Sequence, residues 1–359
     1  MKLLVLGAGR QGRTIAANLA ERPGVTDVVV ADAQMPPDLP KHARYLALDA
    51  KDARAVRQAA LGCAGAVSAL PATIGTIALP ALIEARVPTI DVSFTIEMPF
   101  HLDAAAKTAG VPLVCDLGVA PGLSHILAAA LLDGMPDAEA IDILVGGLPL
   151  VPPACFRHAV YFNARDLLDE YLRPARMRLD GRDVAPAPLD APVTRWHDAD
   201  AGALEAFASD GLRSLLASCP HVPNMRELTL RAPGHLEAMR AMLRAGRLDP
   251  AAVDRTAADL AARYPGESNP DRLLMEVRAR RGRDARAFRL HQRCDARGTA
   301  MSLTTAYTAA AGAWMLATGT FKEPGVHAPE KLGSLAGAFI ADLAERGVRV
   351  ERKTRLTPI

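Results

Sequence analysis

Three closely spaced glycines near the start of the chain constrain its fold more than any other feature. The apolar run 3–6 predicts a buried strand, and the turn GAGRQG at residues 7–12 leads into a helix that begins near Thr14. In such a turn the first glycine permits a sharp bend, the second lets the backbone approach a pyrophosphate, and the third lets the helix pack closely on the strand. N–H groups at the start of the helix attract the anion. The pattern predicts a dinucleotide-binding site that includes Gly7, Gly9, Arg10, Gln11 and Gly12.

The next predicted strand indicates which dinucleotide is bound. This strand, residues 27–31, ends in Asp32, twenty residues after Gly12, where a carboxylate accepts hydrogen bonds from an adenosine ribose. Residues 33–35, which follow, are Ala, Gln and Met, and they offer no cation to a 2′-phosphate. The sequence therefore predicts NAD rather than NADP as the cofactor. The alternative role of Asp32 is to end the strand and cap a turn.

Length, charge and cysteine usage exclude several classes of protein. A chain of 359 residues suits two domains, and 42 basic against 40 acidic residues leave little net charge for a nucleic-acid partner. The cysteines are odd in number, far apart and form no C-x-x-C pair, which predicts reduced thiols and no metal site. The longest apolar runs, 126–132 and 306–316, are too short to span a bilayer. With no room for a signal peptide before the first strand, we expect a cytoplasmic enzyme without a membrane or nucleic-acid partner.

Strands and helices alternate through the first third of the chain. This alternation, with right-handed crossovers, predicts an α/β fold with a Rossmann-type, doubly wound parallel sheet. Pro36, Pro37 and Pro40 remove backbone donors and predict a loop in place of the crossover helix after the second strand.

Polar residues are predicted at the carboxyl ends of these strands, the edge at which open α/β sheets bind ligands. Asp91 and Asp116 end two of them, and residues 69–71 follow another. Asp49 follows a further strand, where a turn-forming role is the alternative. We expect this edge to line the cofactor with Asp49, Ala69, Leu70 and Pro71.

The pattern changes from about residue 139 to short strands with short turns, which predicts a second α+β domain with a mixed, mostly antiparallel sheet. The predicted strands are 140–145, 156–162, 225–231, 273–278 and 288–293. A proline-rich stretch, 184–193, is expected to be a loop, and the apolar helix 304–317 to pack back on the first domain. The predicted division assigns 1–118 plus about 300–359 to the dinucleotide-binding domain and 119–299 to a substrate-binding and oligomerisation domain.

Five ordered motifs beyond the glycine turn carry a family resemblance. They are DLGVAPGLS at 116–124, GG at 146–147, GALEAF at 202–207 with DGL at 210–212, TLRAPGH at 229–235, and GV at 325–326 with PE at 329–330. The chain resembles the saccharopine dehydrogenase-like family and, within it, is most similar to lysine 6-dehydrogenases. The resemblance implies a Rossmann domain completed by the C-terminal segment, a mixed-sheet domain, and a homodimer or larger homo-oligomer.

The resemblance further implies an NAD-dependent oxidoreductase that acts on a C–N bond of a small amino-acid substrate. Oxidative deamination of L-lysine at its 6-amino group to the semialdehyde is the leading expectation. The alternative substrate is saccharopine or another opine-type secondary amine. A remoter alternative is a non-catalytic NAD-binding regulator, which would keep the glycine turn but need no polar groups at the nicotinamide.

The same resemblance suggests residues for the chemistry. Asp116, and next Asp91, are candidates to hold the substrate amine or orient water, with turn capping as the alternative. His235 is a candidate proton shuttle, although a histidine after Pro-Gly also serves as a helix-start residue.

Substrate binding has its own candidates. Arg231 offers the bidentate geometry that suits a carboxylate, and Tyr161 and Glu205 are weaker candidates. Arg165 departs from the lysine 6-dehydrogenase pattern, which has an acid at this position, whereas saccharopine-type members often have Arg. The reversed charge favours a second substrate carboxylate.

Overall fold

The structure is a computed structural model that describes residues 1–354 and 356. Its strands are, in chain order, β1 (Lys2–Leu6), β2 (Asp27–Asp32), β3 (Ala43–Ala47), β4 (Gly65–Ser68), β5 (Thr89–Asp91), β6 (Pro112–Val114), β7 (Ala140–Pro149), β8 (Met177–Leu179), β9 (Arg182–Val184), β10 (Thr194–Asp198), β11 (Gly202–Ala208), β12 (Asn224–Arg231), β13 (Asp271–Arg281), β14 (Asp284–Arg293), β15 (Gly325–His327) and β16 (Val350–Lys353).

The α-helices are α1 (Arg10–Ala20), α2 (Ala53–Ala60), α3 (Ala72–Glu84), α4 (Asp103–Ala109), α5 (Leu123–Asp133), α6 (Ala164–Leu172), α7 (Leu215–Ser218), α8 (His235–Arg244), α9 (Val253–Arg263), α10 (Ala300–Ala317) and α11 (Ala336–Glu345). Short 3₁₀ helices lie at Pro99–Leu102, Gly266–Ser268 and Pro329–Leu335. None of the helices in the described part of the chain is long and apolar enough to cross a membrane.

The chain divides into two compact units. The first unit comprises Met1–Leu123 and Thr304–Arg346, and the second comprises Ser124–Leu303 and the segment that begins at Gly347. Most of α10 therefore belongs to the first unit, where the sequence placed it. The last strand departs from the predicted division, because β16 pairs with β14 in the second unit.

The first unit is built on a parallel sheet with the strand order β15-β6-β5-β4-β1-β2-β3. Its central strands are buried along nearly their whole length, with Leu3–Leu6 and Val28–Ala31 each at most 1% exposed. Such continuous apolar strands suit a parallel sheet covered on both faces. The predicted doubly wound α/β fold is confirmed. A loop without a helix leads from β2 to β3, as the prolines indicated.

The second unit carries a mixed sheet with the main strand order β10-β11-β12-β7-β13-β14-β16, and β8 and β9 extend from β12. Its neighbours are antiparallel except for β12 and β7, which run parallel. The predicted mixed, mostly antiparallel sheet is confirmed.

One predicted strand of this unit is wrong. Residues 156–162 have no ladder partner among the described strands and make only an isolated bridge at Val160 with Pro265. Their apolar side chains pack instead into a core with α6, α8 and α9. Because helices bury this segment, its strand-forming composition does not produce a strand.

A buried ion pair ties α11 to α1 within the first unit. The Arg22 guanidinium forms an ion pair with Asp342, donates to Asn18 Oδ1 at 2.8 and 3.1 Å, and lies 5.6 Å from the Trp314 ring centroid. Burial lowers the pKa of Arg22, and the nearby Asp342 carboxylate opposes that effect. The pair therefore couples the C-terminal helix to the N-terminal half of this unit.

Replacing Asp342 with Ala would leave the Arg22 charge buried without its carboxylate. We expect Asp342→Ala to lower the free energy of unfolding by about 3 to 5 kcal/mol, measured by urea denaturation. Asp38→Ala is the matched control, because Asp38 is exposed and lies 3.5 Å from Arg13 at the surface. Equal effects of the two substitutions would show that the Arg22 pair does not hold α11.

Candidate functional site

Two glycines of the turn after β1 pack so closely against backbone carbonyl groups that neither position has room for a side chain. Gly7 has φ of +96°, its N–H donates to Ala31 O at 2.8 Å, and an added Cβ would lie 2.4 Å from Ala69 O. A Cβ on Gly12 would lie 1.8 Å from Gly7 O. The first and third glycines are thus required by the packing of the turn on β4 and of α1 on β1.

Gly9 is in a different position. It precedes the first residue of α1, and no described atom lies within 4 Å of where its Cβ would be. The space in front of the helix N-terminus is therefore open where backbone N–H groups point outward, and the first turn of α1 carries Arg10 and Arg13. Gln11 lies in the same turn of α1; its buried Oε1 is an acceptor, so only its amide N–H groups could donate to a phosphate. These features fit the pyrophosphate of a dinucleotide.

Asp32 lies against this turn. Its carboxylate accepts from Ala8 N at 2.6 Å and from Gln34 N at 2.9 Å, and its carbonyl accepts from the Tyr45 hydroxyl at 2.9 Å. Two of roughly four acceptor positions on a carboxylate are used, so Asp32 keeps capacity for a ribose diol. The contacts position the carboxylate as the sequence predicted, and its cofactor role remains a prediction.

The other predicted cofactor residues fall into two groups. Ala69 and Leu70 border the turn, since the Ala69 carbonyl and the Leu70 side chain are the atoms nearest to a Cβ on Gly7. Pro71 is exposed and precedes α3. Asp49 is exposed, and its carboxylate accepts from Lys51 N at 3.0 Å. This hydrogen bond stabilises the turn that leads to α2.

Two buried aspartates follow neighbouring strands of the same parallel sheet. Asp91 ends β5, is fully buried, and accepts from Ser93 N at 3.3 Å and from the Ser93 hydroxyl. Burial raises the pKa of Asp91 to about 7; the hydrogen bonds from Ser93 counter this effect, and the Asp116 charge adds to it. A carboxyl group that titrates near neutral pH is suited to proton transfer.

Asp116 is 3% exposed and has a left-handed backbone, with φ of +55°. The loop that follows folds back tightly, since Gly118 N donates to Asp116 O at 3.0 Å and to Pro121 O at 3.1 Å. Leu117 N donates to Asp91 O at 3.0 Å, which links the two aspartate-bearing segments. The sheet edge therefore brings together the two aspartates that the sequence singled out.

The second unit contains a buried polar cluster that includes three other predicted residues, His235, Arg231 and Tyr161. The sequence did not indicate its remaining members, Tyr171, Glu170 and His158. Arg231 Nε donates to the Tyr171 hydroxyl at 2.9 Å, and Arg231 Nη2 forms an ion pair with Glu170 Oε2 at 2.5 Å. For Tyr171, Glu170 and His158, the sequence predicted only the type of element, a helix or a strand, in which each would lie. No sequence pattern shows that α6 faces β12.

The cluster fixes the protonation of His235. Its Nδ1 lies 2.7 Å from Phe156 O, a carbonyl that only accepts, so Nδ1 carries the proton and Nε2 accepts from the Tyr171 hydroxyl at 2.7 Å. Burial lowers the pKa of His235 to about 3, and the Arg231 charge adds to the effect. Both nitrogens are engaged within the protein, and the suggested role of His235 as a proton shuttle stays a prediction.

The remaining two candidates have internal partners. Arg165 lies at the start of α6 with its side chain 44% exposed, and it binds Asp169 at 3.0 Å and Asp254 at 2.7 Å. Its charge is therefore matched by carboxylates of the protein, and its binding to a substrate carboxylate remains a prediction. Glu205 Oε1 accepts from Gly234 N at 3.3 Å, at the start of α8.

A glycine turn on a parallel sheet is typical of dinucleotide-binding α/β domains. Residues 118–348, more than half of the chain, match the family described as the saccharopine dehydrogenase C-terminal domain. The chain belongs to this family, and the resemblance to the saccharopine dehydrogenase-like family drawn from its motifs is confirmed.

Comparison with solved structures shows the same fold. The apo saccharopine dehydrogenase (L-Glu forming) from Saccharomyces cerevisiae superposes with a TM-score of 0.81 at 17% identity, covering 99% of this chain and 100% of that one. The homospermidine synthase from Legionella pneumophila, solved in complex with NAD, gives a TM-score of 0.70 at 11% identity, covering 99% and 91%.

Curated relatives match over a shorter region. The mitochondrial alpha-aminoadipic semialdehyde synthases of Mus musculus and Bos taurus are 27% identical over 124 residues and 29% identical over 126 residues. Each alignment covers 33% of this chain and 13% of the relative, so the chain matches a small part of those longer proteins.

The unequal surroundings of the glycines yield a paired test. We expect Gly9→Ala to fold with an unchanged melting temperature but to weaken NADH binding about tenfold or more, because the methyl group would occupy the open space before α1. Gly12→Ala should lower the melting temperature, since its methyl group would collide with Gly7 O. Calorimetric titration with NADH measures the first effect, and thermal unfolding measures the second. An unchanged NADH affinity in Gly9→Ala would show that the pyrophosphate does not bind next to Gly9.

Proposed function

We propose that this protein is an NAD-dependent dehydrogenase that oxidises a C–N bond of an amino acid, with the 6-amino group of L-lysine as the first candidate. The observation that carries the proposal is the Asp91–Asp116 pair at the carboxyl edge of the sheet that also bears the glycine turn. A nucleotide-binding regulator has no need for such a pair.

The choice of NAD rests on Asp32. Its carboxylate lies beside the turn, residues 33–35 supply no cation, and a 2′-phosphate would meet a negative charge. The Legionella neighbour was solved with NAD, which agrees with this choice.

The chemistry explains why a carboxyl group with a pKa near 7 suits this reaction. An amine must lose its ammonium proton before hydride can leave the carbon that bears it, and Asp91 in its ionised form can accept that proton. When bound, NAD supplies the hydride acceptor. Loss of hydride from this carbon would leave an iminium cation on the substrate. Water would add to the cation, and the resulting carbinolamine would release ammonia when the amine is primary. The negative charge of Asp116 stabilises the cation as it develops.

The contacts of Arg165 bear on the substrate. A second substrate carboxylate would have to compete with Asp169 and Asp254, which already surround this guanidinium. That competition favours lysine. Saccharopine remains the alternative because the yeast neighbour is named a saccharopine dehydrogenase.

A substrate panel tests the proposal directly. The protein is incubated with NAD or NADP and with lysine, ornithine or saccharopine, and the absorbance of reduced nicotinamide is followed. We expect turnover of lysine with NAD, and Asp32→Ala should narrow the preference for NAD over NADP. NADH binding without turnover of any amine would favour the regulator, and stronger activity with NADP would overturn the cofactor assignment.

The pH profile tests Asp91. Because its folded-state pKa is raised to about 7, the carboxylate base forms only as the pH rises through that value, and kcat/KM should increase there. We expect Asp91→Asn to abolish this rise of kcat/KM with pH, the acidic limb of the profile. The substitution should also lower kcat/KM by roughly 10²–10⁴-fold.

Asp116→Asn is the companion variant. It removes a neighbouring like charge, so the limb should move to lower pH. A limb near pH 7 that persists in Asp91→Asn would assign the proton transfer to another group.

A further inference from the structure

Arg272, the second residue of β13, is a buried arginine without a counter-ion. The residue is 9% exposed, its Nη1 has no hydrogen-bond partner within residues 1–354 and 356, and no carboxylate of those residues forms an ion pair with it. Arg278, on the same strand and equally buried, forms an ion pair with Glu276. Because a buried charge without a partner is strongly unfavourable, Arg272 indicates that an anion from outside the described chain completes it.

Strand pairing brings two further nitrogen-bearing side chains to Arg272. Arg293 of β14 lies directly opposite Arg272 in the antiparallel ladder, and His291 lies opposite Leu274, two positions farther along β13. Side chains that are directly opposite share one face of the sheet, and diagonal neighbours about 7–8 Å apart are within reach of long side chains. The ladder therefore places Arg272, Arg293 and His291 on one face, where β13 begins and β14 ends.

One carboxylate contacts the two residues of β14. Asp200, in the turn between β10 and β11, lies 3.2 Å from His291 Nδ1 and 3.4 Å from Arg293 Nη2. A carboxylate only accepts, so it favours the proton of a neutral imidazole on Nδ1 and leaves Nε2 as an acceptor. Burial lowers the pKa of His291, which keeps the ring neutral at pH 7; Asp200 and Asp198 oppose this effect, and Arg272 and Arg293 add to it. Nε2 is buried without a hydrogen-bond partner among the described residues.

The group formed by Arg272, Arg293 and His291 is accessible to solvent from one side. The side chains of Arg293 and Asp200 are 55% and 51% exposed, and that of His291 is 30% exposed. Leu148 lies opposite Arg272 on β7 and is buried, so it borders the group on the other side. A small ion therefore reaches Arg272 from the side of Arg293.

This group and the histidine cluster of the second unit lie on opposite faces of the sheet. Leu273 is paired with Gly147 of β7, and a Cβ on Gly147 would lie 3.8 Å from the ring of Tyr161, a member of that cluster. Successive side chains of a strand point to opposite faces, so Arg272, the neighbour of Leu273, points away from the cluster. Any ligand of Arg272 is therefore separate from a substrate carboxylate held by Arg231.

We propose that Arg272, Arg293 and His291 bind a hydrogen phosphate ion on this face of the second sheet. The two guanidinium groups would donate to phosphate oxygens, and the P–OH group would donate to His291 Nε2. The charge of the group favours an anion, since Asp200 is a single carboxylate beside two arginines.

The acceptor at His291 Nε2 selects among anions. A carboxylic acid has lost its proton well below neutral pH, and a phosphomonoester, with a second pKa of about 6, has lost its last proton at pH 8. Sulfate likewise carries no proton at this pH. Inorganic phosphate keeps one P–OH group, so it is the oxyanion among these that both accepts from the arginines and donates to the histidine.

The test is calorimetric titration of the full chain at pH 8 and low ionic strength. The probes are inorganic phosphate, sulfate and glycerol 2-phosphate. We expect phosphate to bind at least tenfold more tightly than the other two, because only phosphate donates to Nε2. His291→Phe should weaken phosphate binding to the level of sulfate and leave sulfate binding nearly unchanged.

Arg272→Met removes the charge and keeps an unbranched apolar stem. It should weaken phosphate binding at least tenfold, yet keep or raise the melting temperature without phosphate, because it deletes an unpaired buried charge. Arg278→Met is the matched control on the same strand, and it should lower the melting temperature because it breaks the ion pair with Glu276.

Two results would overturn the site. Equal phosphate affinity in the wild type and in Arg272→Met would assign any bound phosphate to another position, such as the glycine turn. Equal affinity of the wild type for phosphate and sulfate, or the same preference for phosphate in His291→Phe, would exclude the P–OH contact. No part of the test depends on turnover, so the absence of dehydrogenase activity would refute the proposed function and leave this result standing.

Discussion

The contact between Asp32 and the backbone of the glycine turn organises the first unit. The Asp32 carboxylate accepts from Ala8 N, while Gly7 N donates to the carbonyl of Ala31, so the end of β2 and the turn after β1 hold each other in place. This geometry requires that Gly7 and Gly12 lack side chains, because the backbone carbonyls of Ala69 and Gly7 occupy that space. The helix N-terminus and the open position at Gly9 follow from these contacts.

Burial shifts the pKa values of the aspartate site in the first unit and of the histidine cluster in the second unit in opposite directions. In the first unit, burial and a neighbouring carboxylate raise the pKa of Asp91 into the neutral range, where a proton can be gained or lost. In the second unit, burial and the Arg231 charge keep His235 and His158 neutral. The first arrangement suits proton transfer, and the second suits a fixed hydrogen-bond network.

The histidines illustrate why the type of residue does not define its role. The position of His235 after Pro-Gly made it a candidate proton shuttle, yet hydrogen bonds to Phe156 O and Tyr171 engage both nitrogens. His158 lies in a segment that was predicted to be a strand, and it is a buried histidine with no partner for either ring nitrogen in the described structure. Hydrogen-bond partners that come from distant segments decide between these roles.

The sequence alone determined the parallel sheet, the glycine turn, the aspartates at the strand ends and the family, because each depends on local pattern or on spacing along the chain. The turn needs glycines at set intervals, and parallel strands place their ends at one edge. The tertiary structure decided the fate of residues 156–162, the pairing of β16 with β14, the ion pairs that surround Arg165, and the enclosure of His158. Each of these depends on which distant segments meet, and burial and hydrogen bonding between such segments are not encoded in any local pattern.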